Sequence, residues 1–392
     1  MPTPLPLVSP PAPYVVGIDV AAESFVAALA TRPAAGSVQV LLTPKSFANT
    51  AAGFAALLAW ADKHLRRVQD PAGVAFVLEA TGVYHEELTY FLHHHHRTVQ
   101  VVQPLMAKQF ARSLATKSKT DALDAAMLAR LGLERALPVW KPFTPALRLL
   151  RALTRERATG LKHATRLRNQ LHALLHAHAT PANQVARLQT HLDLLDDQKK
   201  TVEQELNALI TSEKDLKKAV ERIATIPGIG SQTALILLAE TNGFAHFTNA
   251  RQLASFAGLD VVHQQSGTSV RARPRLSKRG NTPLRTALYM PALAASRYNP
   301  QQKAFYERLR TRHPTGKAAL CAVMRKLLVL AFSLHQSKEN YDQTRSAVTH
   351  KHKKIAPTQG AEATQDGPAC AETPFSATKV PGKIRKVAEL TP

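Results

Sequence analysis

Hydrophobic and polar positions change their period along the chain. From Tyr14 to about Gln103, short apolar or alternating runs stand close together: YVVGIDV, FVAALAT and VQVLLT, then GVAFVLEA and TVQVVQP. Each has the length and pattern of a strand, whereas AAGFAALLAWADKHL and HEELTYFLHH have the period of a helix. Three neighbouring strands followed by alternating helices and strands predict a mixed α/β sheet covered by helices.

From Pro145 to about Lys218 the strand pattern disappears, and leucines recur three and four residues apart. The break HAHATPAN around Pro181 predicts two long helices in an antiparallel hairpin. The first arm is basic, through Arg148, Arg151, Arg155, Arg157, Lys162, Arg166 and Arg168. These cations are either a solvated helix face or a nucleic-acid contact surface, and the sequence leaves both readings open.

The remaining sequence predicts a helical module and a polar end. IPGIGSQTALILLAE, NTPLRTALYMPALAAS and GKAALCAVMRKLLVLAFSL supply the apolar stretches of the module. We expect five segments: a disordered Pro-rich tail at 1–13, an α/β domain at 14–143, a coiled-coil hairpin at 144–222, a mainly helical module at 223–340 and a disordered tail at 341–392.

Charge narrows the class of partner. Lysine and arginine number 51 against 28 aspartates and glutamates, a formal net charge of +23. Such an excess favours a polyanion, and counterion release makes nucleic acid the natural one. A membrane surface would attract the same charge, but we find no apolar run that approaches the roughly 18 residues of a spanning helix. The two cysteines, Cys321 and Cys370, have no zinc spacing and fit a reducing cytosol.

Two aspartates stand on the apolar face of a predicted helix. In KSKTDALDAAMLARL, residues 117–131, a turn of about 100° per residue puts Asp121 and Asp124 on the stripe of Leu128 and Leu131. Taken alone, an N-cap or a favourable interaction with the helix dipole explains them. If Asp121 and Asp124 point toward the core, their negative charges require a positively charged partner.

Two further carboxylates end predicted strands. Asp19 closes VVGIDV and Glu79 closes AFVLE, and a strand end of an α/β sheet borders the crevice where ligands bind. Each alone is a plausible turn residue. If the four carboxylates converge, their mutual repulsion calls for cations, and Mg²⁺, as two ions, would suit oxygen ligands and phosphodiester chemistry. Actin-like ATPases and sugar kinases also begin with such a hairpin, but the second Gly-rich phosphate turn that they need is missing.

The C-terminal module carries two candidate phosphate-binding motifs. TIPGIGSQTA predicts a helix-hairpin-helix element, in which Gly228 and Gly230 let the backbone approach a phosphate; a plain helix junction is the alternative. The segment HQQSGTSVRARPRLSKRGNTPLRTALYMPAL is densely basic, which suits phosphate clamping. Its cations are Arg271, Arg273, Arg275, Lys278, Arg279 and Arg285. Ser266, in a loop just before them, is a candidate nucleophile on phosphorus or an ordinary turn residue.

In combination these motifs resemble the IS-110 family of insertion-sequence transposases, the DEDD transposases described as bridge-RNA-guided recombinases. The motifs are GIDVAAESF, LEATGVYHEEL, QPLMAKQFARSLATKSKTDALDAAMLA, IPGIGSQTA and ASFAGLDVVHQQSGTSVRARPRLSKRGNTPLRTALYMPAL, in this order from about Tyr14 to about Ser337. The resemblance implies a RuvC-like, ribonuclease H-type domain with a Mg²⁺ tetrad at Asp19, Glu79, Asp121 and Asp124.

The same resemblance implies the reaction and its partners. The nucleophilic serine falls on Ser266, with Ser269 and Ser277 as nearby rivals, and it forms a phosphoserine link to DNA. An element-encoded non-coding RNA pairs with donor and target double-stranded DNA, and dimers to tetramers of a bacterial or archaeal cytoplasmic, nucleoid-associated protein assemble on them. A metal nuclease of the junction-resolvase type and an inactive nucleic-acid-binding scaffold stay as alternatives. The run His93 to His96 and both tails depart from the family pattern.

Overall fold

A computed structural model describes residues 12–32, 38–65, 73–80, 82–115, 118–179, 181–266, 270–312 and 315–343. The side chains of 264–266 and 270–273 lie outside this description. Both predicted tails fall almost wholly outside it as well. Within it, the chain forms a mixed sheet with flanking helices, a long helical hairpin and a mainly helical module.

The first domain is built on one mixed sheet. Its strands are β1 (Tyr14–Val20), β2 (Ser24–Thr31), β3 (Gln39–Val40), β4 (Lys45–Ala48), β5 (Val74–Glu79) and β6 (Thr98–Val102). The strand order is β3-β2-β1-β5-β6, with β4 also pairing with β2. Strand β2 is antiparallel to β1, whereas β5 and β6 run parallel to it. The sequence pattern predicts this mixed sheet, and the family resemblance implies its ribonuclease H-type order, although VQVLLT forms only the two-residue β3.

Helices cover both faces of the sheet. They are α1 (Ala51–Leu65), α2 (Glu86–His94), α3 (Pro104–Ser113) and α4 (Asp121–Glu134). One face buries a core around Phe25, Leu57 and Phe76, and the other packs against Leu128, Leu131 and Phe110. Alternation of side chains along β1 serves both cores, since Val16 and Ile18 face the first and Val15 faces the second.

The predicted helical hairpin consists of α5 (Pro145–Leu175) and α6 (Ala182–Ser212), each 31 residues long. Its arms are antiparallel, because Arg157 pairs with Glu203 while Arg168, farther along α5, pairs with the earlier residue Asp196. The hairpin ends at Ser212. Helix α7 (Lys214–Ala224) follows. It packs into a core that also contains Leu150 and Leu153 of α5, so the boundary at 222 stays a prediction.

The C-terminal module contains α8 (Ser231–Thr241), α9 (Ala250–Phe256), β7 (Val261–Ser266), β8 (Val270–Leu276), α10 (Thr282–Tyr298), α11 (Pro300–Arg312) and α12 (Gly316–Ser337). The strands β7 and β8 form an antiparallel hairpin, which we had expected to be a loop. The alternation of arginine with other residues in VRARPRL is the period of a strand, and it was available in the sequence.

Helix α12 corrects the expectation about apolar runs. Among the described helices, it is long and apolar enough to cross a membrane by length and composition. Half of that stretch is buried inside the protein, however, and Val323, Leu327 and Ala331 lie in the C-terminal core. A central core helix therefore explains its composition.

Candidate active site

Asp19 and Glu79 lie at the same edge of the sheet. Asp19 is the penultimate residue of β1, and Glu79 is the last residue of β5. Because β1 and β5 are parallel neighbours, their carboxyl ends meet there. Both residues are partly exposed, while the strand positions before them are buried. Each apolar strand thus places its carboxylate at the edge of the hydrophobic core.

Helix α4 lies almost directly on β1. Gly17 makes this possible, because a Cβ at Gly17 would overlap the backbone of Ala125 and Ala129. Two residues farther along the strand, Asp19 faces the start of α4, where Thr120 is the N-cap and accepts a hydrogen bond from the Leu123 amide at 3.2 Å. The close helix–strand contact therefore brings Asp121 and Asp124 toward Asp19.

The pKa of Asp19 responds to the charges of the other three carboxylates. Burial and, after it, the negative charges of Asp124, Asp121 and Glu79 together raise the pKa of Asp19 to about 6. Lys119 opposes the rise, and its Nζ lies 4.0 Å from Asp124 Oδ2. The three carboxylates predicted together with Asp19 thus lie near enough for their charges to act on it, and their role as a tetrad stays a prediction.

The tetrad fits a divalent cation by its chemistry. All four groups offer carboxylate oxygens, the ligands that Mg²⁺ prefers, and the raised pKa of Asp19 marks negative charge that a cation would neutralise. In the described part of the chain, no three His, Cys, Asp or Glu side chains already form a metal-binding cluster. Asp121 is exposed and Asp124 is half-buried, so their side chains have room to turn inward.

A basic cleft adjoins the carboxylates, and the sequence interpretation gave it no role. Its volume is about 690 Å³, and both Glu79 and Asp124 line it. Its cationic lining residues are Lys108, Arg112, Lys119 and Arg130. The first two come from α3, which leaves the sheet beside Glu79. The two basic residues four positions apart in LMAKQFARS could have indicated this face. The cleft suits a phosphate backbone beside the tetrad.

Ser266 is the last residue of β7, where it pairs with Val270 across the hairpin. Gly267 and the rival Ser269 lie outside the described residues, as do the side chains of Ser266, Arg271 and Arg273. Their predicted roles stay predictions. The other rival, Ser277, donates a hydrogen bond to Asp260 Oδ1 at the base of the hairpin, where it joins the two strand ends.

The base of the hairpin is held by close backbone contacts. Asn281 N–H donates to the Phe256 carbonyl at 2.7 Å, and Lys278 N–H donates to the Gly258 carbonyl at 3.2 Å. Gly280 has a φ of 148°, and a Cβ there would overlap the Phe256 carbonyl. The segment between β8 and α10 therefore follows a path that only glycine permits.

Arg285 differs from its predicted role as a phosphate clamp. Its guanidinium donates to the Ala257 carbonyl at 2.9 Å and to Thr282 Oγ1 at 3.0 Å. These contacts connect the end of α9 to the start of α10, so we assign Arg285 a structural role. Arg275, Lys278 and Arg279 are exposed, which leaves them accessible to phosphate.

The two glycines of the predicted helix-hairpin-helix element have different surroundings. Gly228 has a φ of 104°, and a Cβ there would clash with Pro291 and Ala295 of α10. Its missing side chain permits this packing, and its predicted approach to a phosphate stays a prediction. Gly230, the N-cap of α8, has open space around it, and no side chain caps the helix. Gly230 retains the geometry for an anion.

Part of the basic arm of the long hairpin is paired inside the protein. The Glu240 carboxylate on α8 accepts from Arg155 Nε at 2.7 Å and Arg155 Nη2 at 2.9 Å, and from Asn281 Nδ2 at 2.7 Å. Arg151 Nε lies 3.9 Å from the same carboxylate, whose side chain is 1% exposed. The network links α5, α8 and the N-cap of α10, and it requires neither solvent nor nucleic acid.

The histidine run lies at the end of α2. His93 and His94 occupy its last turn, and His96 has a left-handed φ of 56°. His95 Nδ1 lies 2.8 Å from the Phe91 carbonyl. These contacts terminate the helix, and the run adds no metal-binding group within the described residues.

Comparisons with known proteins agree with this geometry. A DEDD transposase family matches residues 16–179, which contain the whole tetrad, and the family described as Transposase IS116/IS110/IS902 matches residues 220–307, which contain β7 and β8. The pilin gene-inverting protein of Moraxella lacunata is 31% identical over 331 residues, covering 84% of this chain and 97% of that protein. The transposase for insertion sequence element IS1111A of Coxiella burnetii is 27% identical, covering 51% and 60% respectively.

Among solved structures, Thermus thermophilus RuvC aligns with 32% of this chain and 99% of its own, at 14% identity and a TM-score of 0.25. The ribonuclease H-type assignment rests on the strand order described above. Two family matches in sequence order and a relative aligned over nearly its whole length confirm the resemblance drawn from the motifs. The chain belongs to the IS110 family of DEDD insertion-sequence transposases.

Proposed function

We propose that this transposase cuts and rejoins DNA with a divalent-metal site at Asp19, Glu79, Asp121 and Asp124 and with Ser266 as the nucleophile. The proposal is supported by the effect of Asp124, Asp121 and Glu79 on Asp19, whose pKa is raised to about 6 by burial and by these three charges. The adjoining cleft with Lys108 and Arg112 supplies the charge that would hold a DNA backbone there.

In this proposal Asp19, Glu79, Asp121 and Asp124 would hold Mg²⁺, as two ions, and bound Mg²⁺ would supply positive charge to stabilise the phosphate and the leaving oxygen. The Ser266 hydroxyl loses its proton and attacks phosphorus. A bond forms between Ser266 Oγ and phosphorus, the bond from phosphorus to the 3′ oxygen breaks, and that oxygen takes up a proton. Attack by the 3′-hydroxyl of another strand reverses these changes and frees the serine.

Rejoining is favoured over simple cleavage by the relatives. The Moraxella proteins are named for inverting a pilin gene, and an inversion requires that the cut strands be joined again. This supports a recombinase over the alternative of a junction-resolvase type of nuclease, in which water attacks and Ser266 only contacts phosphate.

Sequence choice is proposed to come from an element-encoded RNA. The described cations suited to nucleic acid lie on exposed helix and strand surfaces, an arrangement typical of backbone contact. Base pairing between the RNA and the donor and target DNA would then supply the sequence information, as in other RNA-guided systems.

We further propose that the working form is a dimer or tetramer. Leu175 and Leu194 are 61% and 57% exposed on the distal half of the long hairpin. Apolar side chains at such a position favour packing of one hairpin against another, in a coiled coil.

A trapping experiment tests the chemistry. Protein, element RNA, DNA and Mg²⁺ are mixed, the protein is denatured, and DNA that migrates with protein is measured. We expect attachment in the wild type and in Ser277→Ala, whose hydroxyl holds the hairpin base, and none in Ser266→Ala or Asp121→Ala.

Other outcomes would assign other functions. Cleavage that survives Ser266→Ala but not Asp121→Ala would identify water as the nucleophile and the chain as a nuclease. If attachment is lost in Ser277→Ala or Ser269→Ala but kept in Ser266→Ala, the nucleophile would be that other serine. Binding without cleavage under every Mg²⁺ condition would indicate a scaffold.

A further inference from the structure

A groove opens on the C-terminal module beside the base of the β7–β8 hairpin, and neither the tetrad nor the Ser266 step uses it. Its volume is about 1050 Å³, comparable to that of the largest ligand sites. The hairpin contributes Val261 and Leu276, α11 contributes Phe305 and Leu309, and one side of α12 closes the groove. The floor is therefore largely apolar.

Cations surround this apolar floor. Arg275, Arg325 and Lys326 line the groove together with His263, and none of its described lining residues is acidic. Lys326 Nζ lies 4.5 Å from the centroid of the Phe305 ring, and the Arg308 guanidinium lies 5.5 Å from the same centroid. Burial and the charge of Arg308 lower the pKa of Lys326, as expected for a cation close to another cation. The groove is thus complementary to an anion that also has apolar surfaces.

The groove extends across α11 and is connected to the proposed nucleophile. A smaller cavity of about 260 Å³ shares Phe305 and Lys326 and continues to Gln301. In the other direction, β7 runs from Val261 at the groove to Ser266, five residues on. At about 3.3 Å per residue this is roughly 16 Å, a distance that a few unpaired nucleotides can span.

We propose that this groove binds unpaired nucleotides of the DNA strand cut by Ser266, and this inference rests on the proposed function. Bases would pack on the apolar floor and on Phe305, while phosphates would contact Arg275, Arg325 and Lys326. Single-strand binding sites combine aromatic or apolar platforms with basic rims in this way. Paired DNA would present its phosphates alone, since its bases are stacked inside the duplex.

Cys321 provides a direct test, because it lines the groove and is partly exposed. Full-length protein with Cys370→Ser is treated with N-ethylmaleimide, and modification of Cys321 is followed by mass spectrometry. We expect single-stranded oligothymidylate to slow modification several-fold and a DNA duplex of equal length to leave the rate unchanged. Equal protection by the duplex, or stronger protection by oligouridylate RNA, would overturn the assignment to unpaired DNA.

Lys326→Glu provides a matched variant. It should abolish the protection and weaken binding of the labelled oligothymidylate by about tenfold, since it replaces a rim cation with an anion. Lys218→Glu makes the same charge change at an exposed site on α7 and should have no such effect. Circular dichroism melting curves establish that both variants fold. An unchanged affinity in Lys326→Glu would also overturn the inference.

The two proposals fail separately. If the trapping experiment yields the Ser266 link while oligothymidylate leaves Cys321 unprotected, the groove assignment is wrong and the proposed function stands. If Cys321 is protected but no link forms, the groove binds single strands and the proposed chemistry is wrong.

Discussion

Gly17 illustrates how one residue positions the candidate site. It carries no charge and contacts no substrate, yet its missing side chain lets the backbone of α4 rest on β1 beside Asp19. Asp19, by contrast, is recognisable in the sequence because it ends an apolar strand. The carboxylates indicate the chemistry of the candidate site. Its geometry depends on Gly17, because this residue has no side chain between β1 and α4.

We predict that Gly17→Val separates α4 from the sheet. The added side chain would overlap the Ala125 carbonyl, which is backbone and cannot rotate away, so we expect a loss of about 3 kcal/mol or more in the free energy of unfolding. DNA cleavage should fall further than stability alone requires, because Asp121 and Asp124 move with α4. Urea unfolding and a cleavage assay at a temperature where the variant remains folded measure the two effects.

Gly160→Ala is the matched control. Gly160 lies within α5, and a Cβ there would meet no atom within 4 Å. Alanine favours a helix over glycine by about 1 kcal/mol, so this variant should be slightly more stable and fully active. A Gly17→Val protein as stable and active as the wild type would show that α4 does not need this contact.

At the scale of elements, the Glu240 network joins three helices that are distant in sequence. Arg155 belongs to the long hairpin, Glu240 to α8 and Asn281 to the start of α10, just after the basic segment. Asn281 also caps α10 by accepting from the Leu284 amide at 2.9 Å. The position of the β7–β8 hairpin is therefore tied to the position of α5 through a single buried carboxylate.

We predict that this network makes the free energy of unfolding depend on pH in the acidic range. Burial by itself would raise the pKa of Glu240, but the hydrogen bonds from Arg155 and Asn281 and the charges of Arg155 and Arg151 lower it overall. A lowered folded-state pKa means that the stabilisation is present above the ordinary value of 4.5 and is lost as pH falls through the folded-state pKa. The wild type should lose stability more steeply below about pH 5 than Glu240→Gln.

Urea unfolding at pH 7, 5 and 4 measures this difference. At pH 7 Glu240→Gln should be destabilised by about 1–3 kcal/mol, a moderate value because Arg155 is 47% exposed and can regain water. Asp62→Asn is the control, since Asp62 is about half exposed and pairs with Arg97 at the surface of the first domain. Parallel pH curves for the wild type and Glu240→Gln would refute the assignment.

For the whole molecule, the net charge of +23 leads us to expect steeply salt-dependent DNA binding. Part of the charge is used internally, as the pairs of Arg155, Arg157 and Arg168 show. The exposed cations Lys108 and Arg112 instead line the cleft beside the tetrad. Only cations of this second kind release counterions when DNA binds.

We predict that the double variant Lys108→Ala and Arg112→Ala lowers the slope of log Kd against log salt by about 1 to 2, since each phosphate contact contributes about 0.9. Removing Lys63, an exposed cation in the last turn of α1, should leave the slope unchanged. Fluorescence anisotropy with duplex DNA between low and moderate salt measures both. An unchanged slope in the double variant would exclude the cleft as a DNA surface.

By itself, the sequence determined most of the local elements and the family, and it singled out the four candidate carboxylates. The reason is that the period of a helix or strand, and the residues at its ends, are local features of the sequence. Even so, it left β7 and β8 as a loop, because the alternation in VRARPRL is short and lies within a run of charges.

Only the tertiary structure decided which equivalent-looking residues have which role. Arg285 and Arg155 resemble their basic neighbours in sequence, yet one bonds to backbone carbonyls and the other to a buried glutamate far along the chain. Gly228 and Gly230 stand two positions apart, yet one packs against α10 and the other stays open. These outcomes depend on long-range contacts, and a local pattern of residues carries no information about the partner that folding brings to it.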